Sequence, residues 1–238
     1  MMAESTPPAT ERAALIVGAS RGLGYAMAAE FAARNWRVVG TVRADATPLH
    51  DLAIQRPRAI EVVQLDLTDD GQIGALRDRL SDRDFDIVFV NAGIANSRIA
   101  NTLAEVSKEE FAQVMEVNVL GVMRAIEALG GLVRDGGVIG AMSSGQGSIA
   151  NNGNGTNDVY RASKAALNQA MSSYAGRHHS ENRAIILLAP GWVRTDMGGP
   201  QAPFGVEETT PLLVDLLIAQ QDVPGLRFLD RHGHRVPW

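Results

Sequence analysis

Ala13-Ala14-Leu15-Ile16-Val17-Gly18-Ala19-Ser20-Arg21-Gly22-Leu23-Gly24 is the stretch that decides the fold. Five apolar residues ending at a glycine read as a short buried strand. Leu23, Met27 and Phe31 then recur at helical spacing up to Asn35, so a helix follows the glycines directly. A strand that runs through a glycine turn into a helix is a phosphate cradle. Glycines let the backbone approach a pyrophosphate, and the helix N-terminus offers free N–H groups and the positive end of a dipole. The spacing here is Gly-x-x-x-Gly-x-Gly rather than Gly-x-Gly-x-x-Gly, but the strand–turn–helix context is the one a dinucleotide requires.

Outward from this unit, strands and helices alternate. Strands are expected at Arg37–Val42, Ile60–Leu65, Asp86–Val90, Val138–Met142, Ala184–Leu188 and Leu226–Leu229. Helices are expected at Leu49–Gln55, stopped by Pro57, around Leu76 and Leu80, around Tyr160, and from Glu207 to Gln220. Ser107 to Glu110 has capping-box form and opens a long helix through Met115, Val119 and Ile126, with Gly136-Gly137 closing that segment. Such alternation implies βαβ crossovers and an α/β fold: a doubly wound, seven-stranded, mostly parallel sheet with helices on both faces.

Composition bounds the rest. The chain has 238 residues, 45% hydrophobic and 21% charged, with a net charge of -5. These values suit one sizeable domain, expected over 12–238, preceded by a flexible lead-in over 1–11 that contains Pro7-Pro8. Mild acidity argues against nucleic acid or an anionic membrane as partner. Without cysteine, disulfides, thiolate metal sites and cysteine nucleophiles are excluded. No apolar run is long enough to span a bilayer and no signal pattern opens the chain, so the expected compartment is the cytoplasm. His178-His179 and His232-x-His234 lack a third ligand nearby and read as a solvated helix end and tail, with no metal expected.

Tyr160 and Lys164 are four residues apart, stacked on one helical face. An ammonium beside a phenol favours the phenolate and would lower the tyrosine pKa, one route to a proton donor near neutral pH. The pair alone is weak, since Tyr-x-x-x-Lys occurs by chance in many helices. The preceding run Gly145 to Asn157 holds four Gly and four Asn and reads either as a flexible active-site loop or as a surface loop without a role.

Gly18-x-x-x-Gly22-x-Gly24, Asn91-Ala92-Gly93, Asn118, Ser144, Tyr160-x-x-x-Lys164 and Pro190-Gly191 together resemble, in order and approximate spacing, the short-chain dehydrogenase/reductase family. The match runs from Ala13 to the C-terminus and implies a Rossmann-type fold. Ser143-Ser144-x-x-Gly147-Ser148-Ile149-Ala150, the run Gly191 to Gly199, Phe228-Leu229-Asp230 and Pro237-Trp238 resemble the branch containing the C-factor signalling protein and the Sniffer carbonyl reductases.

The resemblance implies a nicotinamide cofactor held by Gly18, Ser20, Arg21, Gly22, Leu23 and Gly24, and by Asn91, Ala92, Gly93, Pro190, Gly191, Val193 and Thr195. Asp66 and Leu67 would hold adenine, unless Asp66 is the N-cap of the following helix in competition with Thr68 and Asp69. Strand two ends Thr41-Val42-Arg43, with no carboxylate where an NAD site would place one. Arg21 and Arg43 converging on one point would suit a 2′-phosphate. NADP(H) is therefore preferred over NAD(H), with Asp45 as the residue that argues for NAD(H).

The chemistry implied is hydride transfer between nicotinamide and a small ketone, aldehyde or secondary alcohol. Tyr160 would be the general acid, Lys164 would lower its pKa and bond the ribose, and Ser144 would hold the carbonyl oxygen. Asn118 would anchor a proton-relay water. Residues 192–206 resemble the family's substrate lid, with Trp192, Met197 and Phe204, together with Ile94 and Ile149, as pocket candidates. The resemblance also implies a homodimer or homotetramer through the Ser107 and Tyr160 helices. Against the enzyme stands a dinucleotide-binding signalling protein, for which an intact Ser144, Tyr160 and Lys164 would have no use.

Overall fold

The apolar runs become strands that pair in one sheet. In the computed structural model, which describes residues 11–238, the order of elements is β1 (Ala13–Val17), α1 (Gly22–Ala33), β2 (Arg37–Val42), α2 (Pro48–Gln55), β3 (Ile60–Gln64), α3 (Asp70–Arg79) and β4 (Phe85–Val90). There follow α4 (Lys108–Met115), α5 (Val122–Leu129), β5 (Val133–Met142), α6 (Asp158–Arg177), β6 (Ala184–Ala189), α7 (Val206–Ala219) and β7 (Gly225–Asp230). The seven strands lie in the order β3-β2-β1-β4-β5-β6-β7, and every neighbouring pair is parallel. The lead-in expected before Glu11 lies outside the described residues.

The strand order reverses between β1 and β4, and the crevice at the carboxyl ends of the strands there is where such sheets take ligands. Alternate strand residues feed two cores. Leu15 and Val17 face Leu76 of α3, Ile126 of α5 and Met171 of α6, while Ala14 and Ile16 face Met27 and Phe31 of α1 and Leu213 of α7. Burial on both faces explains why the strands read as continuous apolar runs rather than alternating ones.

Two expectations need correction. Gly136-Gly137 does not end an element: β5 begins at Val133 and passes through both glycines, with a register shift opposite Phe85 and Ile87. Gly136 has φ +73°, and a Cβ on Gly137 would lie 2.8 Å from the Asp86 carbonyl oxygen, so the glycines serve a kinked close approach. The buried Asp86 carboxylate pins this corner, accepting from the Ala13 N–H at 2.7 Å and the Gln221 amide at 3.1 Å and pairing with Arg134. The long helix after Ser107 is also interrupted, because Glu116–Gly121 winds as a π-helical segment between α4 and α5. Ser107 caps α4 through the Glu110 N–H, but the Glu110 carboxylate turns away to the Ser97 N–H at 2.5 Å, so the capping box is half formed.

Candidate active site

Gly18 and Gly22 have φ of +86° and +57°, the left-handed region that glycine enters without strain. A Cβ on Gly18 would lie 2.8 Å from the Ala92 backbone nitrogen, so the turn and the end of β4 approach as only glycine permits. Asn91 closes this contact by donating from Nδ2 to the Gly18 carbonyl at 3.0 Å. Thr41, buried at the end of β2, accepts the Gly18 N–H at 3.0 Å, a support the sequence reading missed. Arg21 occupies the N-cap of α1, yet no side chain caps the helix and its first turn holds no acid. Its leading N–H groups are left for an anion, which fits a pyrophosphate.

The adenosine end is less as expected. Asp69, not Asp66, caps α3, through the Gln72 N–H at 3.1 Å. Asp66 instead accepts from the Thr68 N–H at 2.9 Å and hydroxyl at 2.8 Å. The Thr68 backbone bond, with help from the Thr68 hydroxyl and Arg43, holds the Asp66 carboxyl below its ordinary pKa against the opposing effect of burial. Arg43 thus stands on the β3 side, while Arg21 pairs with Asp196 at 2.8 Å across 175 residues. The two guanidinium groups thus have different acidic neighbours, Asp196 for Arg21 and Asp66 for Arg43.

Ser144, Tyr160 and Lys164 do come together, at the carboxyl end of β5. Ser144 accepts the Gln146 N–H at 3.1 Å, and its hydroxyl is near enough to Tyr160 to draw the phenol pKa down. Lys164 is 2% exposed; its Nζ donates to the Met142 carbonyl at 2.9 Å and sits 5.7 Å from the Tyr160 ring centroid. Among the described residues no carboxylate lies within salt-bridge distance of it. Burial pushes the Lys164 ammonium down to about 8 and the phenol of half-buried Tyr160 up to about 12. The expectation of a tyrosine held low by its lysine therefore fails for the protein's own groups: both lose solvation in one pocket, and for Tyr160 that loss exceeds what the Ser144 hydroxyl returns. A buried cation without a counter-charge is expensive unless something else uses it, which marks a functional site.

Asn118 is fully buried in the π-helical segment. Its Oδ1 accepts from the Ile94 N–H at 2.8 Å, and its Nδ2 donates to the Ile94 carbonyl at 2.8 Å and Ser163 Oγ at 3.0 Å. The side chain thus serves the framework, bonding both backbone groups of Ile94. A Cβ on Gly93 would lie 3.3 Å from both Asn118 Oδ1 and Lys164 Nζ, which places these groups on one small space beside β4. The neighbouring Ser143 is buried and donates its hydroxyl to Asn168 Oδ1 at 2.6 Å.

Residues 192–206 return beside Gly191 (φ +87°) at the end of β6, with Pro190 buried beneath. Buried Val193 bridges to Phe204, Trp192 Nε1 donates to the Gly198 carbonyl at 2.7 Å, and Arg194 bonds the Ala202 and Pro203 carbonyls. Thr195 lies against the glycine turn, 3.5 Å from where a Gly22 Cβ would be. Trp192 and Met197 remain about half exposed. Half-buried Phe204 is stacked by Arg231, 3.3 Å from its centroid, a contact no local sequence pattern announced.

Ile149 is not brought to this cleft. It is 78% exposed, in a hollow of about 270 Å³ with Ala165, Gln169, Ser172 and Trp238 that neither Ser144 nor Tyr160 lines. The Trp238 carbonyl accepts the Ala150 N–H at 3.1 Å, and this tie turns the loop onto the outer face of α6. His178 pairs with Glu181 and His234 with Asp230; no group of three or more metal-binding side chains gathers among the described residues. No helix there is long and apolar enough to cross a membrane.

Residues 12–203 match the family described as short chain dehydrogenase. A short-chain dehydrogenase/reductase from Burkholderia multivorans, solved with bound NADP, is 53% identical and superposes with a TM-score of 0.94, covering 96% of this chain and all of that one. A carbonyl reductase from Pseudomonas aeruginosa PAO1 in complex with NADP is 36% identical with a TM-score of 0.89, over 96% of this chain and all of that one. C-signal from Myxococcus xanthus is 34% identical over 155 residues, 64% of this chain and 92% of that protein. Glycine turn, buried lysine, tyrosine and serine thus lie in one crevice, on a sheet shared with these proteins: the chain belongs to the short-chain dehydrogenase/reductase family and is an NAD(P)-dependent oxidoreductase.

Proposed function

We propose that the protein is an NADPH-dependent carbonyl reductase, reducing a small ketone or aldehyde, with the reverse alcohol oxidation available. The observation that carries this is Lys164: a buried ammonium, with no carboxylate partner among the described residues, between the Tyr160 ring and the end of β5. When bound, the cofactor supplies the hydride from its nicotinamide. The glycine turn and the uncapped N-terminus of α1 hold the pyrophosphate, and Asn91, Ala92 and Gly93 floor the site. Pro190, Gly191, Val193 and Thr195 border its nicotinamide end. Ser144 directs its hydroxyl at the carbonyl oxygen, where negative charge develops.

Tyr160, with its pKa raised to about 12, keeps its proton at neutral pH and delivers it to the nascent alkoxide, a stronger base. Lys164 bonds the ribose hydroxyls and returns a proton towards Tyr160. Asn118 acts as a positioning residue, fixing Ile94 from both sides. Residues 192–206 form the lid, and Ile94, Trp192, Met197 and Phe204 line the pocket.

NADP(H) over NAD(H) rests on Arg43 and Arg21, with no carboxylate at the end of β2 and Asp45 engaged by the Gln64 amide at 3.4 Å. Related structures carry NADP, which supports the same preference here. Arg43→Ala is expected to weaken NADPH by about tenfold and NADH by less than twofold, the loss expected of one charge-assisted phosphate contact; equal losses would remove Arg43 from cofactor choice. Turnover is tested by NADPH consumption with a panel of ketones and aldehydes. Tight NADPH binding without turnover would favour the second reading, a dinucleotide-binding signalling protein, to which the likeness to C-signal points. Exposed Phe111 and Leu120, around the π-helical segment, support self-association of the helices opened by Ser107; a monomer in sedimentation velocity would rule it out.

A further inference from the structure

The ion pair between Arg21 and Asp196 joins two parts of the site with different tasks. Arg21 stands at the mouth of the phosphate cradle; Asp196 stands in the lid. The lid around Asp196 is internally braced: Gly199 N–H bonds the Thr195 carbonyl at 2.8 Å, Gly198 N–H bonds Thr195 Oγ1 at 3.1 Å, and Trp192 Nε1 bonds the Gly198 carbonyl. Thr195 rests over Gly22, so this small rigid turn presents Asp196 to the guanidinium as a unit. Both side chains are more than 70% exposed, and Asp196 is the only carboxylate within salt-bridge distance of Arg21 among the described residues.

We propose that Asp196 is a specificity-determining residue that competes with the 2′-phosphate of NADP(H) for Arg21. One guanidinium then serves two claimants. With NAD(H), whose ribose carries no phosphate, Arg21 stays on Asp196 and the lid remains tied to the glycine turn. With NADP(H), the dianionic phosphate takes the guanidinium, since a doubly charged, three-oxygen acceptor binds it more strongly than a single exposed carboxylate. Asp196 is released with the lid. The identity of the cofactor is thereby sensed at the substrate end. An exposed ion pair is weak, so the competition lowers NADP(H) affinity by a small factor.

The inference rests on the reading that Arg21 meets the 2′-phosphate, and the test separates the two. Dissociation constants for NADPH and NADH are measured by tryptophan fluorescence quenching for the wild type, Asp196→Asn, Arg21→Gln and the double variant, at low and high salt. Neutralising Asp196 also removes a charge that repels the pyrophosphate common to both cofactors, so the ratio of the two constants is the quantity read. Asp196→Asn is expected to shift that ratio towards NADPH by about two- to fivefold at low salt, with the gain vanishing at high salt and in the Arg21→Gln background. An unchanged ratio in Asp196→Asn, with Arg21→Gln still selectively weakening NADPH, would overturn the competition alone. Equal weakening of both cofactors by Arg21→Gln would overturn the phosphate reading and the competition with it.

Discussion

Asn118→Ala separates a framework role from a direct catalytic one. In the structure the Asn118 amide is the partner of both the N–H and the carbonyl of Ile94 and also donates to Ser163. Truncation orphans two backbone groups at Ile94, whereas the Ser163 hydroxyl keeps its own bond to the Tyr160 carbonyl at 2.8 Å. A buried orphan costs about 1–3 kcal/mol. Ile94 is half-buried, so water relieves part of this, and the lower half of the range applies to each group. The expected loss is about 2–4 kcal/mol, which for a chain of this size lowers Tm by roughly 5–15 °C. Because Ile94 follows Asn91-Ala92-Gly93, NADPH affinity should fall as well. Urea unfolding with and without NADPH measures both. A stability within about 0.5 kcal/mol of wild type for Asn118→Ala, with kcat sharply reduced, would refute the framework reasoning.

Three further outcomes follow from the same geometry. Lys164 has its pKa lowered to about 8 in the fold, against 10.5 when unfolded. Between pH 8 and 10 the unfolded chain holds a proton the fold has shed, so stability rises with pH; relative to Lys164→Met, wild type should gain about 1.5 kcal/mol from pH 8 to 9.5 in urea unfolding. A constant difference would place the ammonium in water. Tyr160, raised from 10 to about 12, acts with the opposite sign above pH 10, so the rise should end there. Asp86→Ala strands the Arg134 guanidinium and the Ala13 N–H and should cost about 3–5 kcal/mol, with kcat/KM of the folded fraction unchanged because the corner lies at the far end of the strands; an altered kcat/KM would show that the corner reaches the site.

Much of the fold was legible because a parallel sheet buries both faces of each strand, which turns strands such as Ala13–Val17 and Ala184–Ala189 into apolar runs bounded by glycine or proline. The exceptions have local causes. Gly136-Gly137 reads as a break, and only the packed neighbourhood of Asp86 makes it a kink within a strand. Asn118 reads as one position of a long helix, and its bonds to Ile94 depend on the end of β4 lying alongside. At the site, Tyr160 and Lys164 could be paired from their spacing; the direction of their pKa shifts could not, because it turns on burial that only the assembled crevice creates. Arg21 and Arg43 read as converging on one phosphate, and their acidic neighbours, Asp196 and Asp66, are invisible to a local reading. Ile149 was misplaced for a similar reason: the tie to Trp238 is a contact between distant parts of the chain.

Tyr160→Phe tests the central claim most directly, since it removes one hydroxyl from the cleft and leaves the glycine turn, Lys164 and the fold in place. NADPH affinity should stay within about twofold of wild type while kcat for ketone reduction falls by at least about 10²-fold, the scale of a positioned proton donor. Reduction at near wild-type rate with NADPH still bound would contradict the account.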